Sequence, residues 1–322
     1  MAEELYLYAV ARIRSKEMSL LGKAEIDQLL VCKKYEDCLR ILTDRGWGKG
    51  TGGSAEKLLA DEREKTWEAA AELVEDMSVF NTFLYEYDYH NLKAAIKQVY
   101  TNKSMSGIYI SYGTVDAGII FKAVKEHDFT LLPEHMQKCA EEAYEIQMHT
   151  GDSQLCDVVI DRAALDMIYK SGKASGNELL ADYAEIRVAA ADIKIALRGS
   201  QTGKSRDFLE RAISECDSLD VKKLVQYALE GEGEICSYLE TTVYENAVQV
   251  IRGSLSAFES WCDNLLIKKI RPQKYNPFTI SPVAAYILAR ENEIKTVRIL
   301  LSGKLNNLPE EAIRGRLREM YV

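Results

Sequence analysis

The feature that most constrains the fold of this chain is a tripeptide that recurs at one fixed interval. The pattern [Asn/Asp/Glu]-[Leu/Ile]-Lys begins at Asn91, Asp192 and Glu293, so consecutive copies are 101 residues apart. A looser copy, Asp220-Val-Lys222, falls outside this register, so the equal spacing rather than the tripeptide itself carries the inference. Self-similarity at a fixed period indicates a structural unit that is used three times.

Helical periodicity surrounds every copy of the tripeptide. Apolar residues recur at helical spacing through 67–100, 178–198 and 282–301. Residues 232–270 are predicted to be a further helical piece, and Gly172–Gly176 is interpreted as a short connection between helices. Only five prolines occur in 322 residues, and four of them follow residue 271, so the body of the chain is nearly free of helix breakers. We therefore predict an all-α protein of three fused units related by pseudo-threefold symmetry. The predicted boundaries are 1–106, 107–203 and 204–322, and the alternating run Gly107–Tyr112 is interpreted as a loop.

The last copy lies in the best delimited helix, within residues 276–304. Ser281 is suited to cap this helix, and Pro282 falls in the first turn, where a missing N–H costs nothing. Gly303 is predicted to end the helix in a left-handed conformation.

Composition and charge exclude several classes of protein. The 41 basic and 50 acidic residues give a formal net charge of −9, which argues against nucleic acid as a partner. The longest uncharged stretch, Tyr275–Ala289, is short and interrupted by proline, so we predict no direct insertion into a membrane. The N-terminus lacks the pattern of a signal peptide. Seven cysteines without a C-x-x-C pair are typical of reduced thiols in a cytosolic protein.

Two glycine-rich segments resemble phosphate-binding loops. Gly199-Ser-Gln-Thr-Gly203-Lys-Ser205 has three residues between its glycines where a P-loop has four. Gly48-x-Gly50-x-x-Gly53 matches the dinucleotide fingerprint formally, but the preceding segment is predicted to be helical instead of a strand. Both are interpreted as ordinary loops. The four histidines show no metal-ligand spacing, so we predict no catalytic residue, no cofactor and no metal site.

A second basic residue follows each tripeptide by about one helical turn. Residues three or four apart share a helix face, so these pairs form three basic ridges: Lys93 with Lys97, Lys194 with Arg198, and Lys295 with Arg298. The ridges either line a common surface that receives a partner, or they are ordinary solvated charges while Leu92, Ile193 and Ile294 pack inward. Both interpretations remain open at this point.

Several segments of the chain carry a resemblance to a known family. The run Asn276–Lys304 and its continuation to Val322 resemble the C-terminal signature of the C subunit of V-type and A-type rotary ATPases, which is called the d subunit in the eukaryotic proton pump. Asp88-Tyr-His-Asn91-Leu-Lys93 is similar to the family's D-x-x-N-L-K, and Leu5–Arg12 also matches. The middle copy departs from this pattern, with Ala189 and Asp192 in place of Asp88 and Asn91.

The resemblance implies a specific architecture and role. Three helical bundles would form a funnel at the cytoplasmic face of the membrane, peripheral to it. The funnel would link the central rotor stalk subunits to the membrane proteolipid ring and transmit torque without catalysing a reaction. The form implied is bacterial or archaeal, and the transported ion and the direction of work stay open. Two other classes also stay open: a generic helical-repeat adaptor unrelated to rotary ATPases, and an enzyme with a cryptic nucleotide site.

Overall fold

The computed structural model describes residues 6–50, 54–103 and 107–322. Throughout these residues the secondary structure is helical and no strand is present, which confirms the all-α prediction. The α-helices are, in chain order, α1 (Leu7–Glu17), α2 (Lys23–Val31), α3 (Tyr35–Asp44), α4 (Ala55–Ala71), α5 (Tyr85–Thr101), α6 (Ala117–Glu126), α7 (Glu134–Glu145), α8 (Ser153–Ala174), α9 (Glu178–Gln201), α10 (Arg206–Ala212), α11 (Val221–Glu230), α12 (Glu232–Leu239), α13 (Val248–Ile251), α14 (Leu255–Ile270), α15 (Ser281–Leu305) and α16 (Glu310–Arg314).

Short helical segments of other types complete the chain. A π-helical turn, Ile146–Thr150, extends α7. Four connections contain 3₁₀ turns: Met77–Phe83, Phe129–Leu131, Glu245–Ala247 and Arg271–Tyr275. Among the described helices, none combines the length and the apolar character that crossing a bilayer requires.

The chain forms two compact units. One contains residues 1–77 together with 250–322, and the other contains residues 78–249. The three units expected from the 101-residue interval are a finer division, and their boundaries stay a prediction. The first of those boundaries, at residue 106, lies outside the described residues.

In the unit formed by both ends of the chain, α15 is the central helix. It packs against α1, α2, α3, α4, α14 and α16. Because it is surrounded, most of its side chains are buried on every face instead of along one stripe. Ile294, Val297 and Leu301 join one core with residues of α2, α3 and α4, which include Leu29, Leu42 and Leu59.

Both ends of α15 differ from the sequence prediction. The N-cap position is Ile280, so Ser281 is the first helical residue, and Pro282 lies in the first turn as predicted. Gly303 does not end the helix, because α15 continues to Leu305 and the left-handed residue is Asn307. A Cβ atom at Gly303 would lie 2.6 Å from Cγ1 of Ile313. The glycine is therefore explained by the close approach of α16.

In the other unit, α5, α8 and α9 form the centre. α8 packs against both α5 and α9, while α6 covers α5, α7 covers α8 and α11 covers α9. Leu92 of α5, Ile160 of α8 and Ile193 of α9 are fully buried in this interior.

Two helices predicted as continuous are interrupted. The 67–100 segment breaks after Ala71 and passes through the 3₁₀ turn Met77–Phe83 before α5 begins. That turn contains Ser, Val, Asn and Thr, which favour non-helical or tightly wound backbone. The segment 232–270 breaks after Leu239, and Ser254 starts α14 by accepting a hydrogen bond from the Ala257 N–H at 3.0 Å. Periodicity alone missed these breaks because the apolar residues keep helical spacing across them.

Gly172, which the sequence suggested as part of a loop, lies inside α8 where α8 meets α9. A Cβ atom there would lie 2.3 Å from Cβ of Ala184 and 2.8 Å from the carbonyl oxygen of Leu180. The absence of a side chain therefore lets the two longest helices of this unit approach closely.

We expect Gly172→Ala to lower the free energy of unfolding by about 1–3 kcal/mol, because the added methyl group forces α8 and α9 apart. The higher helix propensity of alanine, worth about 1 kcal/mol, opposes but does not cancel this cost. Gly233→Ala is the matched control, since Gly233 is exposed in α12 with no atom within 4 Å of its added Cβ. Urea unfolding of both variants checks the prediction, and equal stabilities would contradict it.

Candidate functional site: the three motif helices

The first residue of each repeated tripeptide is buried although it is polar. Asn91 and Asp192 are 0% exposed and Glu293 is 1% exposed, and they lie on the helices α5, α9 and α15, here called the motif helices. A buried polar side chain needs hydrogen-bond partners. In all three copies the partner is a backbone N–H from a segment outside the motif helix.

In the first copy, Asn91 holds the loop that follows α5. Its Oδ1 accepts the N–H of Ile110 at 2.8 Å, and its Nδ2 donates to the carbonyl of Ile110 at 2.9 Å. One turn earlier, Asp88 accepts the N–H of Thr114 at 2.9 Å and that of Val115 at 3.1 Å. The loop Gly107–Tyr112 is thus fixed by side chains of α5, and it contains no strand.

In the second copy, Asp192 accepts the N–H of Ser214 through Oδ1 at 3.0 Å. Its other oxygen, Oδ2, is buried and has no hydrogen-bond partner within the described residues. Burial raises the pKa of Asp192 well above its usual range, and the hydrogen bond from Ser214 only partly opposes this. The hydroxyl of Ser214 donates to Asp166, which also pairs with Arg162.

In the third copy, Glu293 accepts the N–H of Leu21 through Oε1 at 2.5 Å. Its second oxygen binds Arg290, and the other end of that guanidinium binds Glu62. Arg290 also lies over the ring of Trp47, with 5.1 Å from Cζ to the ring centroid. Burial raises the pKa of Glu293 to about 7, while the charge of Arg290 opposes the shift.

The first residue of each tripeptide therefore accepts a hydrogen bond from a backbone N–H of another segment. Asn91 and Asp192 hold segments 19 and 22 residues further along the chain, whereas Glu293 holds a segment 272 residues earlier. Sequence reasoning gave these positions no role of their own. The signal was present, because all three copies keep a side chain that accepts hydrogen bonds at the 101-residue interval.

The basic ridges are mostly neutralised by neighbouring acids. Lys93 binds Asp161 and Lys97 binds Asp157, each at 2.7 Å between nitrogen and oxygen. In the third copy Lys295 binds Asp263 at 2.5 Å and Arg298 binds Glu56 at 3.0 Å.

The middle ridge is different. Lys194 is partly buried on α9, and Arg198 is exposed at the last turns of the same helix. Within the described residues Arg198 forms no ion pair and no side-chain hydrogen bond. The first and middle ridges both belong to the unit of residues 78–249, and the third belongs to the other unit.

The phosphate-loop candidates have the geometry of helix connections. Gly199 is inside α9, Gly203 adopts a left-handed φ of 61°, and Ser205 starts α10 by accepting the N–H of Phe208. Gly48 and Gly50 follow the helix α3 instead of a strand, and Gly53 lies outside the described residues. In the described parts of the chain no cluster of three metal-ligating side chains is found.

We expect Arg290→Met to lower the free energy of unfolding by about 3–5 kcal/mol, because it leaves Glu62 and Glu293 buried without their shared cation. Because the pKa of Glu293 is raised to about 7, its carboxyl group is mostly neutral at pH 5 and mostly ionised at pH 8. A buried carboxylate without its cation costs more than a neutral carboxyl group, so the loss of stability should be larger at pH 8 than at pH 5. The control is Arg314→Met, since the pairs of Arg314 with Asp27 and Glu310 are exposed and their loss should change stability little at either pH. Denaturant titrations at both pH values decide, and a pH-independent loss would contradict the prediction.

Asp192→Asn should be tolerated, since the amide oxygen still accepts the N–H of Ser214 and the first copy uses asparagine. The pKa of Asp192 is higher in the folded chain than its ordinary value of 3.8. Its contribution to stability is therefore fully present below pH 3.8 and is lost as the pH rises. The stability of the asparagine variant relative to the native chain should therefore increase from pH 5 to pH 8. Asp192→Leu removes the acceptor and should cost about 1–3 kcal/mol. Thermal unfolding at the two pH values measures both effects.

Comparison with known proteins identifies the family of this chain. The family described as ATP synthase (C/AC39) subunit matches residues 9–316. The C subunit of the V-type sodium ATPase of Enterococcus hirae is 24% identical over 317 residues, which cover 96% of this chain and 97% of the relative. The C subunit of the A-type ATP synthase of Methanocaldococcus jannaschii is 23% identical and is covered to 86%, with 97% of this chain. The C subunit of the V-type ATP synthase of Thermus thermophilus is 22% identical, with 96% of this chain and 97% of the relative covered. The chain therefore belongs to the ATP synthase (C/AC39) subunit family and is an accessory, non-catalytic subunit of a V-type or A-type ATPase.

Proposed function

We propose that this protein is the subunit that joins the central rotor stalk to the membrane proteolipid ring and transmits torque between them. The observation that carries the proposal is the match of the family over residues 9–316, together with relatives named as the C subunit that are covered over most of their length. The protein would act at the cytoplasmic face of the membrane, peripheral to it. Its relatives are named both as a sodium ATPase and as ATP synthases, so neither ion nor direction is proposed.

Transmission of torque needs a body that does not deform, and the packing of each unit supports this role. In one unit α15 is enclosed by six other α-helices, and in the other α8 lies between α5 and α9. Close-packed protein interiors have low compressibility and transmit strain. The three buried acceptors add to the stiffness, because each fixes a connecting segment to a motif helix.

The two partners would need different surfaces. Arg198 of the middle ridge, which has no acidic partner among the described residues, suits an acidic foot of the stalk, because complementary charge steers and orients association. Exposed apolar residues in connecting segments suit the ring. Tyr275 is 87% exposed and Phe278 is 53% exposed in the connection before α15. Such side chains can rest on a protein surface without entering lipid.

The proposal is tested on the ATPase complex purified from native membranes through a tag on this chain. We expect stalk subunits and the proteolipid ring to co-purify, because one protein would bind both. Removal of this subunit should leave ATP hydrolysis by the catalytic head and abolish ATP-driven ion transport, and adding the purified chain back should restore transport. Ion transport that persists fully without the subunit would contradict a role in transmitting torque.

A further inference from the structure

One groove in the unit of residues 78–249 combines partly exposed apolar residues with cations. It has a volume of about 360 Å³ and lies between α8, α9 and α10. Val158 of α8, Ile195 of α9 and Phe208 of α10 line it, and all three are partly exposed. At Gly199, which also lines the groove, α9 and α10 approach closely, since a Cβ atom there would lie 2.6 Å from Cδ2 of Leu209.

The charge at the rim of this groove is positive. Arg198 and Lys204 both line it. Lys204 donates to the amide oxygen of Gln154 at 2.8 Å and lies 4.9 Å from the ring centroid of Phe208, so its hydrogen-bond partner is neutral. The acid in the lining, Asp161, is already paired with Lys93. Among the described residues, Arg198 and Lys204 thus have no acidic partner at the groove, in a chain whose net charge is −9.

The groove is also where two of the basic ridges meet. The first ridge reaches it through the pair of Lys93 with Asp161, and the middle ridge reaches it through Arg198. Reversing Lys93 or Lys97 would break a pair with an acid of α8, which confuses a binding defect with a folding defect. Within the described parts of the chain Arg198 forms no ion pair, so its substitution can test binding without breaking one.

We propose that this groove is the docking site for the foot of the central stalk, and that the docked segment presents a carboxylate beside an apolar side chain. The carboxylate would bind Arg198 and Lys204 at the rim, and the apolar group would cover Val158, Ile195 and Phe208. This inference rests on the proposed function, which supplies the identity of the partner. The chemistry of the groove supplies the kind of segment it accepts, because charge selects an acidic partner and apolar burial supplies affinity.

The test measures binding of the full chain to the purified central-stalk subcomplex of the same ATPase, by calorimetry at low and high salt. Arg198→Glu should weaken binding about tenfold at low salt, and the loss should shrink at high salt because screening shortens the reach of charge. Val158→Thr keeps the side-chain shape but adds a polar group, so it should weaken binding about fivefold at both salt concentrations. Arg198→Ala, which adds no negative charge, should show a smaller loss than Arg198→Glu.

The matched control is Lys222→Glu, which makes the same change of charge at the exposed lysine of the out-of-register tripeptide on α11. It should bind the stalk like the native chain, and thermal unfolding of every variant should confirm that the fold is kept. If the native chain binds no stalk subcomplex, the proposed function fails and the inference fails with it. If the native chain binds and the groove variants behave like Lys222→Glu, the function stands and the groove is overturned as its site. A loss of binding to the proteolipid ring, with stalk binding intact, would also overturn the inference.

Discussion

A backbone N–H that leaves water without an acceptor costs about 1–3 kcal/mol, and each motif helix supplies an acceptor for one such group. Asn91, Asp192 and Glu293 meet the N–H groups of Ile110, Ser214 and Leu21. The three bound N–H groups lie in connections between helices, where backbone groups have no partner from regular secondary structure. A buried side chain of the motif helix therefore helps to fix the register of each of these segments.

The third of these bonds has a consequence for the order of the chain. Glu293 lies on α15 near the C-terminus, yet the segment it binds contains Leu21 near the N-terminus. The first and last parts of the sequence thus complete one compact unit. The ion pair of Arg290 with Glu62 ties the same two parts together, and Tyr321 donates to Glu17 of α1 at 2.8 Å. A chain closed on itself in this way resists separation of its first and last parts.

Charge on the surface of this protein is arranged by pairs instead of by uniform ridges. Four of the six predicted ridge residues are bound to acids of neighbouring helices, and exposed pairs of this kind contribute little energy. The middle ridge differs in Arg198, which has no acidic partner in the described parts of the chain and lies beside an apolar groove. A partner that binds there can neutralise charge and bury apolar surface together, and that combination gives a contact both direction and strength.

The sequence by itself determined the helical class, the family and the positions of the motif helices, because periodicity and equal spacing are properties of residue order. One of the two interpretations that it left open put Leu92, Ile193 and Ile294 in the interior, and all three are buried. Only the tertiary structure explains why Gly172 and Gly303 are glycines. A Cβ atom at Gly172 would collide with α9, and one at Gly303 would collide with a side chain of α16. The tertiary structure alone showed that Arg198 differs from Lys97, although both occupy the second position of a ridge. Pairing of charges and burial of polar groups depend on which segments meet in space, and a one-dimensional pattern does not contain that information.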